Sequence, residues 1–310
     1  FHMEQAVLPA LIALAAAMGA LNNTFQRGGE VSVGLTYMTG ALVRMGQGLA
    51  ARLTHTGGDA FAGATHPAWA NMVGPFGGIT AAQLLQAVLM HPQRLGDPVA
   101  LTVNFCAAVA DGPFTIEAVP ARTNRSTQHW MLRMLQGDAV VMSGNAMTAL
   151  RRETFGVTEH SIPPVSPPEQ VPQVHARTRP EWVGRYEMRP IEGAIPAQWD
   201  GTDLGHSRTR LWMRDGALRP LDYPSLAAIA DLFFPRLWSR RATLVPLGTV
   251  TMTVYFLADA QQIASVGSGY LLGQAQGQRF HMGYLDQTGQ IWSEVGELLA
   301  TTHQLVYYKE

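Results

Sequence analysis

Cysteine is almost missing: the chain of 310 residues has one, Cys106. That excludes an internal disulfide framework and a zinc site built on thiolates. A single thiol suits a reducing compartment, so a cytoplasmic location is expected. Charge is scarce as well, at 15% of residues, and nearly balanced, with 22 Lys and Arg against 23 Asp and Glu. A nucleic-acid binder should show a basic excess or stripe, and this chain shows neither. The 10 histidines carry no HExxH or HxxxH spacing, so no metal is expected, and no motif asks for a cofactor. No Gly-x-Ser-x-Gly elbow occurs, and Val266-Gly267-Ser268-Gly269 reads as a hairpin turn. Gly267-x-Gly269 followed by Gly273 lacks the spacing of a dinucleotide loop.

Apolar residues are plentiful, at 47%, which excludes disorder as the main state and supplies a large core. Near the amino terminus Val7 to Leu21 is uncharged and mostly apolar, shorter than the ~20 residues that span a bilayer. Val31 to Leu53 is a second apolar stretch, broken by Arg44 and Arg52. The two read either as a packed helical pair or as a remnant of membrane helices. With GALNNTF at 19–25 and LTYMTGALVRMGQ at 35–47, residues 4–56 resemble the last helices of a family of small bacterial integral membrane proteins of unknown function. That resemblance implies a fusion and leaves membrane association open. Further on, His55 to Ala64 reads as a small-residue loop. Residues 161–180 hold six of the 19 prolines and should form an extended connector. The expected organisation is a helical segment over 1–57, domains over 58–160 and 181–310, and a linker over 161–180.

The two domains read as copies. Thr102-Val103-Asn104-Phe105 and Thr253-Val254-Tyr255-Phe256 share Thr-Val-x-Phe at an offset of 151. Both alternate with period 2, with Val99, Leu101, Val103 and Phe105 on one face, and Val250, Met252, Val254 and Phe256 on its equivalent. An apolar helix is expected before each, over Gly77 to His91 and Asp222 to Trp238. Strands are expected after each, at 114–121, 129–135 and 139–149, then at 270–278, 280–285 and 298–308. Gly137-Asp138 and Gly296-Glu297 mark turns. A helix apolar nearly all round must be buried. The economical fold is α+β: two curved antiparallel sheets, each wrapped on its own helix, in a double hotdog.

Residues 58–310 then resemble type II acyl-CoA thioesterases. The matching pieces are Pro75-Phe76-Gly77-Gly78, Arg122-Thr123-Asn124-Arg125-Ser126, Ala230-Asp231-Leu232 and Leu299-Ala300-Thr301-Thr302-His303-Gln304. The resemblance implies hydrolysis of an acyl-CoA without a covalent intermediate. The attacking water would be held by a helix Asp, a strand Thr or Ser and a last-strand Gln, which fall on Asp231, Thr249 and Gln304.

The residues themselves can be weighed beside that. Asp231 has Ala227, Ala228, Phe234 and Pro235 as its i±3 and i±4 neighbours, so its carboxylate must be bonded, protonated or facing a cleft. Gln304 stands in a strand among apolar residues. Thr249 is an ordinary strand Thr by propensity, and Thr251 could take its place. Gly77 and Gly78 permit close backbone approach and free N–H donors for a developing oxyanion, or are a plain tight turn. Arg122 and Arg125 could meet coenzyme A phosphates, or be solvated. Cys106 reads as a small buried thiol, and His303 as a structural or surface residue. The first half should lack a site: its helix has no carboxylate, Thr80 would stand opposite Asp231, and Asn145 opposite Gln304 if Gly137 is set against Gly296. A non-catalytic acyl-CoA-binding or scaffold protein remains open, as does a membrane-tethered one. A hotdog hydratase would need a His that Gly96-Asp97-Pro98 is not followed by. Sheet edges of this kind commonly pair, so a homo-oligomer is expected.

Overall fold

A computed structural model of the chain describes residues 53–173 and 180–310. Of the helical segment expected over 1–57, with its membrane-protein resemblance over 4–56, residues 1–52 lie outside the described residues, and Thr54–Gly57 form a strand instead of helix. Among the described residues, no helix is long and apolar enough to cross a membrane.

The first half runs β1 (Thr54–Gly57), β2 (Ala60–Ala64), α1 (Gly77–Met90), β3 (Asp97–Phe105), β4 (Pro113–Thr123), β5 (Thr127–Gln136) and β6 (Ala139–Ala149). The second runs β7 (Tyr186–Glu192), β8 (Thr209–Asp215), α2 (Tyr223–Ile229), α3 (Leu237–Arg240), β9 (Leu247–Phe256) and α4 (Ala260–Val266). It continues through β10 (Leu271–Gln276), β11 (Phe280–His281), β12 (Tyr284–Ser293) and β13 (Leu298–Tyr308). All pair into one sheet in the order β1-β2-β4-β5-β6-β3-β9-β13-β12-β10-β8-β7, with β11 a stub on β12. Read from either end, that order is the same, half against half.

The symmetry passes between β3 and β9. Their antiparallel register sets Leu101 against Val254, Thr102 against Thr253 and Val103 against Met252, so the repeated segment pairs with its own copy. At the centre, the hydroxyls of Thr102 and Thr253 lie 3.0 Å apart. Leu101, Val103, Met252 and Val254 are all fully buried beneath the helices. Helix α1 is buried nearly all round, as its sequence requires, and packs on β3, β4, β5 and α2. This is the expected double hotdog.

Several elements differ from expectation. Residues 55–64 form part of a hairpin, not a loop. Gly57 and Gly58, at φ 123° and 56°, make its turn. Its small residues serve close packing: a Cβ on Gly63 would stand 2.5 Å from the Phe114 ring. The second helix stops at Ile229, well short of the expected Trp238, and Pro235, which bars Phe234 from helical backbone, means no single helix runs through this stretch. Asp231 therefore sits in the turn beyond α2, not on a helix. Strand β12 runs on to Ser293, well beyond the expected end at 285; pairing on both sides, with β10 and β13, carries the polar Asp286 to Gln290 as strand. Gly267 to Gly269 follow α4 and do not turn a hairpin. Cys106 lies past the end of β3 and is exposed, not buried.

Of the proline-rich connector, residues 161–173 lie on the outer face of the second half. There Trp212, Leu272 and Trp292 form a second cluster with Ile162, Val165 and Val171. Trp212 Nε1 donates to the Ser166 carbonyl at 2.9 Å, and Arg189 Nη1 donates to the Pro168 and Val171 carbonyls at 3.0 and 2.9 Å.

Candidate active site

Asp231, Gln304 and Thr249 are brought into one hydrogen-bonded chain. Gln304 Nε2 donates to Asp231 Oδ1 at 2.9 Å, and Thr249 Oγ1 donates to Gln304 Oε1 at 3.3 Å. The second bond fixes the amide: with its oxygen accepting from Thr249, its NH₂ faces the carboxylate.

Thr249 reaches Gln304 because of a β-bulge. Leu305 pairs with Thr251 and Val306 with Thr249, so Val250 is the extra residue. The bulge reverses the alternation, which turns Val250 outward, 37% exposed, and brings Thr249 onto Gln304. Val250 thus leaves the face it was expected to share with Met252, and Thr249, not Thr251, makes the bond. The same bulge stands between Pro98 and Ala100 in the first half.

Asp231 belongs to the second half but meets the first. The Gly78 backbone N–H, in the opening turn of α1, donates to its carboxylate. Phe76 at the N-cap supplies no side-chain acceptor, so the carboxylate fills that need, at the end where the helix dipole favours negative charge. Space is tight at both glycines, and at Gly78 a near atom is backbone. A Cβ on Gly77 would stand 2.9 Å from Asp231 Oδ2, and one on Gly78 would stand 2.6 Å from the Ala228 carbonyl. The rings of Phe76 and Trp182 stack beside this turn at 4.1 Å.

Asp231 is half-buried and closely surrounded by protein. Desolvation pushes its pKa up from the ordinary carboxylate value to about 7, and the bonds from Gln304 and Gly78 pull the other way. The group can therefore take or release a proton near neutrality.

The first half does not repeat this set of side chains. Leu101 pairs with Ala146 as Met252 pairs with Gln304, so Gln304 answers to Ala146 and Thr249 to Pro98. Asn145 answers to His303 and is exposed, which corrects its expected match to Gln304. Arg122 and Arg125 are both exposed, and Arg122 Nε donates to Asn124 within its own turn at 3.1 Å. Their turn joins β4 and β5 at the end of the sheet where Asp97 pairs with Ala149. In the antiparallel β3–β9 register that is the end away from Thr249, so the structure does not bring the two arginines to the Asp231 chain. Among the described residues no cluster of His, Cys, Asp or Glu fits a metal ion.

Two repeated sheet-and-helix halves, closed on each other with a carboxylate of one at the helix start of the other, define a double-hotdog protein. The chain belongs to the acyl-CoA thioesterase family: residues 65–149 match its N-terminal domain and residues 163–308 its C-terminal domain. A hotdog-fold protein of unknown function from Alicyclobacillus acidocaldarius is 47% identical, with TM-score 0.80, over 85% of this chain and 97% of that one. The tesB protein of Mycobacterium avium subs paratuberculosis is 19% identical, with TM-score 0.69, over 87% and 99%. An acyl-CoA thioesterase II, TesB2, from Mycobacterium marinum is 17% identical, with TM-score 0.65, over 84% and 96%. At their identities the last two speak to the fold alone. No curated protein matches this sequence.

Proposed function

We propose that this chain hydrolyses the thioester of an acyl-CoA by direct attack of water, with Asp231 as general base. The observation that carries the reading is the Asp231 carboxylate, held by Gln304 Nε2 and the Gly78 N–H and pushed up to about 7. The water's oxygen bonds to the acyl carbon as Asp231 takes its proton. The C–S bond then breaks, the proton passes to the leaving sulfur, and a carboxylic acid and a free thiol result. Gln304 uses one amide hydrogen on Asp231 and has a second for the water. The Gly77 N–H, next to Gly78 in the same first turn, is the donor we assign to the developing oxyanion. Because Ala146 and Pro98 replace Gln304 and Thr249 in the other half, one site serves each pair of halves.

The test is thiol release from a chain-length series of acyl-CoAs across pH. kcat/KM should rise with a midpoint near 7, the value for Asp231 in the free protein. A flat profile between about pH 5.5 and 8.5 would remove Asp231 as base. Thr249→Val should lower kcat by ~10-fold with KM little changed, since the Gln304 amide is then free to turn its oxygen toward the carboxylate. An unchanged kcat would deny Thr249 that role.

A further inference from the structure

Beside Gln304, the inner face of the sheet carries two polar side chains whose hydrogen-bonding groups are unsatisfied. Gln287 of β12 lies directly opposite Gln304 and is 1% exposed. Neither its Nε2 nor its Oε1 has a hydrogen-bond partner among the described residues. Thr302, two residues along β13, is 3% exposed, and its Oγ1 is likewise without a partner there. Each such buried group destabilises the fold until a partner satisfies it.

The first half shows what a closed core does at the same place. Through the matched registers, Gln287 answers to Trp130, Thr302 to Gly144 and Gly289 to Leu132. Trp130 is fully buried, and its single donor is used, Nε1 to Thr148 Oγ1 at 3.2 Å. The second half has a shorter amide with two donors and an acceptor, a hydroxyl beside it, and a glycine where Leu132 stands. The side chains around them are apolar. Phe233 covers Gly289, and Leu237 packs on Leu285 and Val306, the residues flanking Gln287 and Gln304 on the same face. An alkyl chain offers this amide nothing. A polar atom on the bound substrate satisfies it.

Building on the thioesterase reading, we infer that Gln287, with Thr302, forms a specificity-determining subsite for acyl groups that carry a hydrogen-bonding oxygen near the thioester. Neighbouring strands stand ~4.8 Å apart, so an amide one strand from Gln304 meets the acyl chain a few carbons from the carbonyl under attack. Gln287 Nε2 donates to the substituent oxygen, and Oε1 accepts its hydrogen when it is a hydroxyl.

The experiment compares kcat/KM of the full chain for a saturated acyl-CoA with values for acyl-CoAs of equal length hydroxylated in turn at each of the first few carbons. The wild type should favour at least one hydroxylated substrate by ~10-fold, the worth of one buried hydrogen bond. Gln287→Leu should bring that ratio to within about twofold of one, and Thr302→Val should lower it in part. Gln287→Leu should also melt no lower than the wild type, because it deletes two unsatisfied groups. A wild type without preference overturns the subsite. So does a Gln287→Leu protein in which every substrate slows by the same factor, since that marks a residue serving the water. Failure to release thiol from any acyl-CoA instead brings down the thioesterase reading, and this subsite with it.

Discussion

Asp231→Asn should lower kcat for thioester hydrolysis by ~10²–10⁴-fold, the usual contribution of a positioned general base. It should at the same time make the protein more stable at pH 8. Folding raises the Asp231 pKa from an ordinary 3.8 to about 7, chiefly by desolvation. Below the lower value both folded and unfolded chains are protonated there, and the group contributes no difference. Between the two values the unfolded chain gives up the proton while the folded one keeps it. Stability therefore falls as pH rises from about 4 to about 7, and stays lower above that. Asparagine cannot ionise, so the variant escapes this loss. The gain is below the full linkage value for two reasons. Part of the Asp231 surface is accessible, and asparagine has one oxygen for the two donors, Gln304 Nε2 and the Gly78 N–H. A net ~1–2 kcal/mol at pH 8 is expected, shrinking as pH falls and turning into a small net loss near pH 4, where only the missing acceptor counts. Thermal melts of both proteins across this range, beside turnover, check it. An Asp231→Asn protein that hydrolyses acyl-CoA at the wild-type rate would sink the assignment. A wild type whose stability does not fall with pH would show that the carboxylate is not desolvated.

Loss of activity together with gain of stability separates a functional carboxylate from a structural one. A carboxylate kept only to cap α1 would be worth most when charged, and its removal would destabilise the protein at neutral pH. Two requirements thus meet at one residue. The helix start draws a negative group toward it, while the enclosing apolar surface resists the charge. Their balance leaves the proton exchangeable near neutrality.

Much of the sheet is written locally in the sequence. The period-2 runs at 97–105 and 247–256 and their shared Thr-Val-x-Phe anticipate both central strands, though not that they pair with each other. Other features depend on neighbours in space. The bulge that aims Thr249 is a matter of register with β13, and no residue at 249–251 announces it. Aligning the halves on Gly137 and Gly296 slipped by one residue because their connections differ in length. Gly137-Asp138 separates β5 from β6, whereas Glu294 to Glu297 separate β12 from β13. The pairing of Asp231 with Gln304 came from family resemblance, since nothing in the spacing of positions 231 and 304 brings them together. Gln287 raised no signal, because a glutamine in a polar stretch looks solvated until both neighbouring strands are in place. Pro235 was the local sign that one helix could not run on to Trp238.

Gly78→Ala is expected to damage both stability and turnover, and Gly77→Ala chiefly turnover. At Gly78 the added methyl would meet a backbone carbonyl, that of Ala228, at 2.6 Å, and the Phe76 ring at 2.5 Å. A ring can rotate, but the carbonyl moves only if α2 moves. The two helices must separate, at about 1–3 kcal/mol for overpacking of this kind. The separation also draws the Gly78 N–H from Asp231, so kcat should fall by ~10²-fold, as for other lost donors in such sites. At Gly77 the new methyl faces the Asp231 Oδ2 at 2.9 Å and the edge of Phe105 at 3.1 Å. Both are side chains and can yield by a few tenths of an ångström. The fold should hold, with melting close to wild type, while the displaced carboxylate loses its line to the water and kcat drops ~10-fold. Melting curves and single-substrate kinetics on the two variants separate these cases. If Gly78→Ala melts and turns over like the wild type, α1 and α2 are not locked at that approach. The helix start would then have no part in holding the carboxylate.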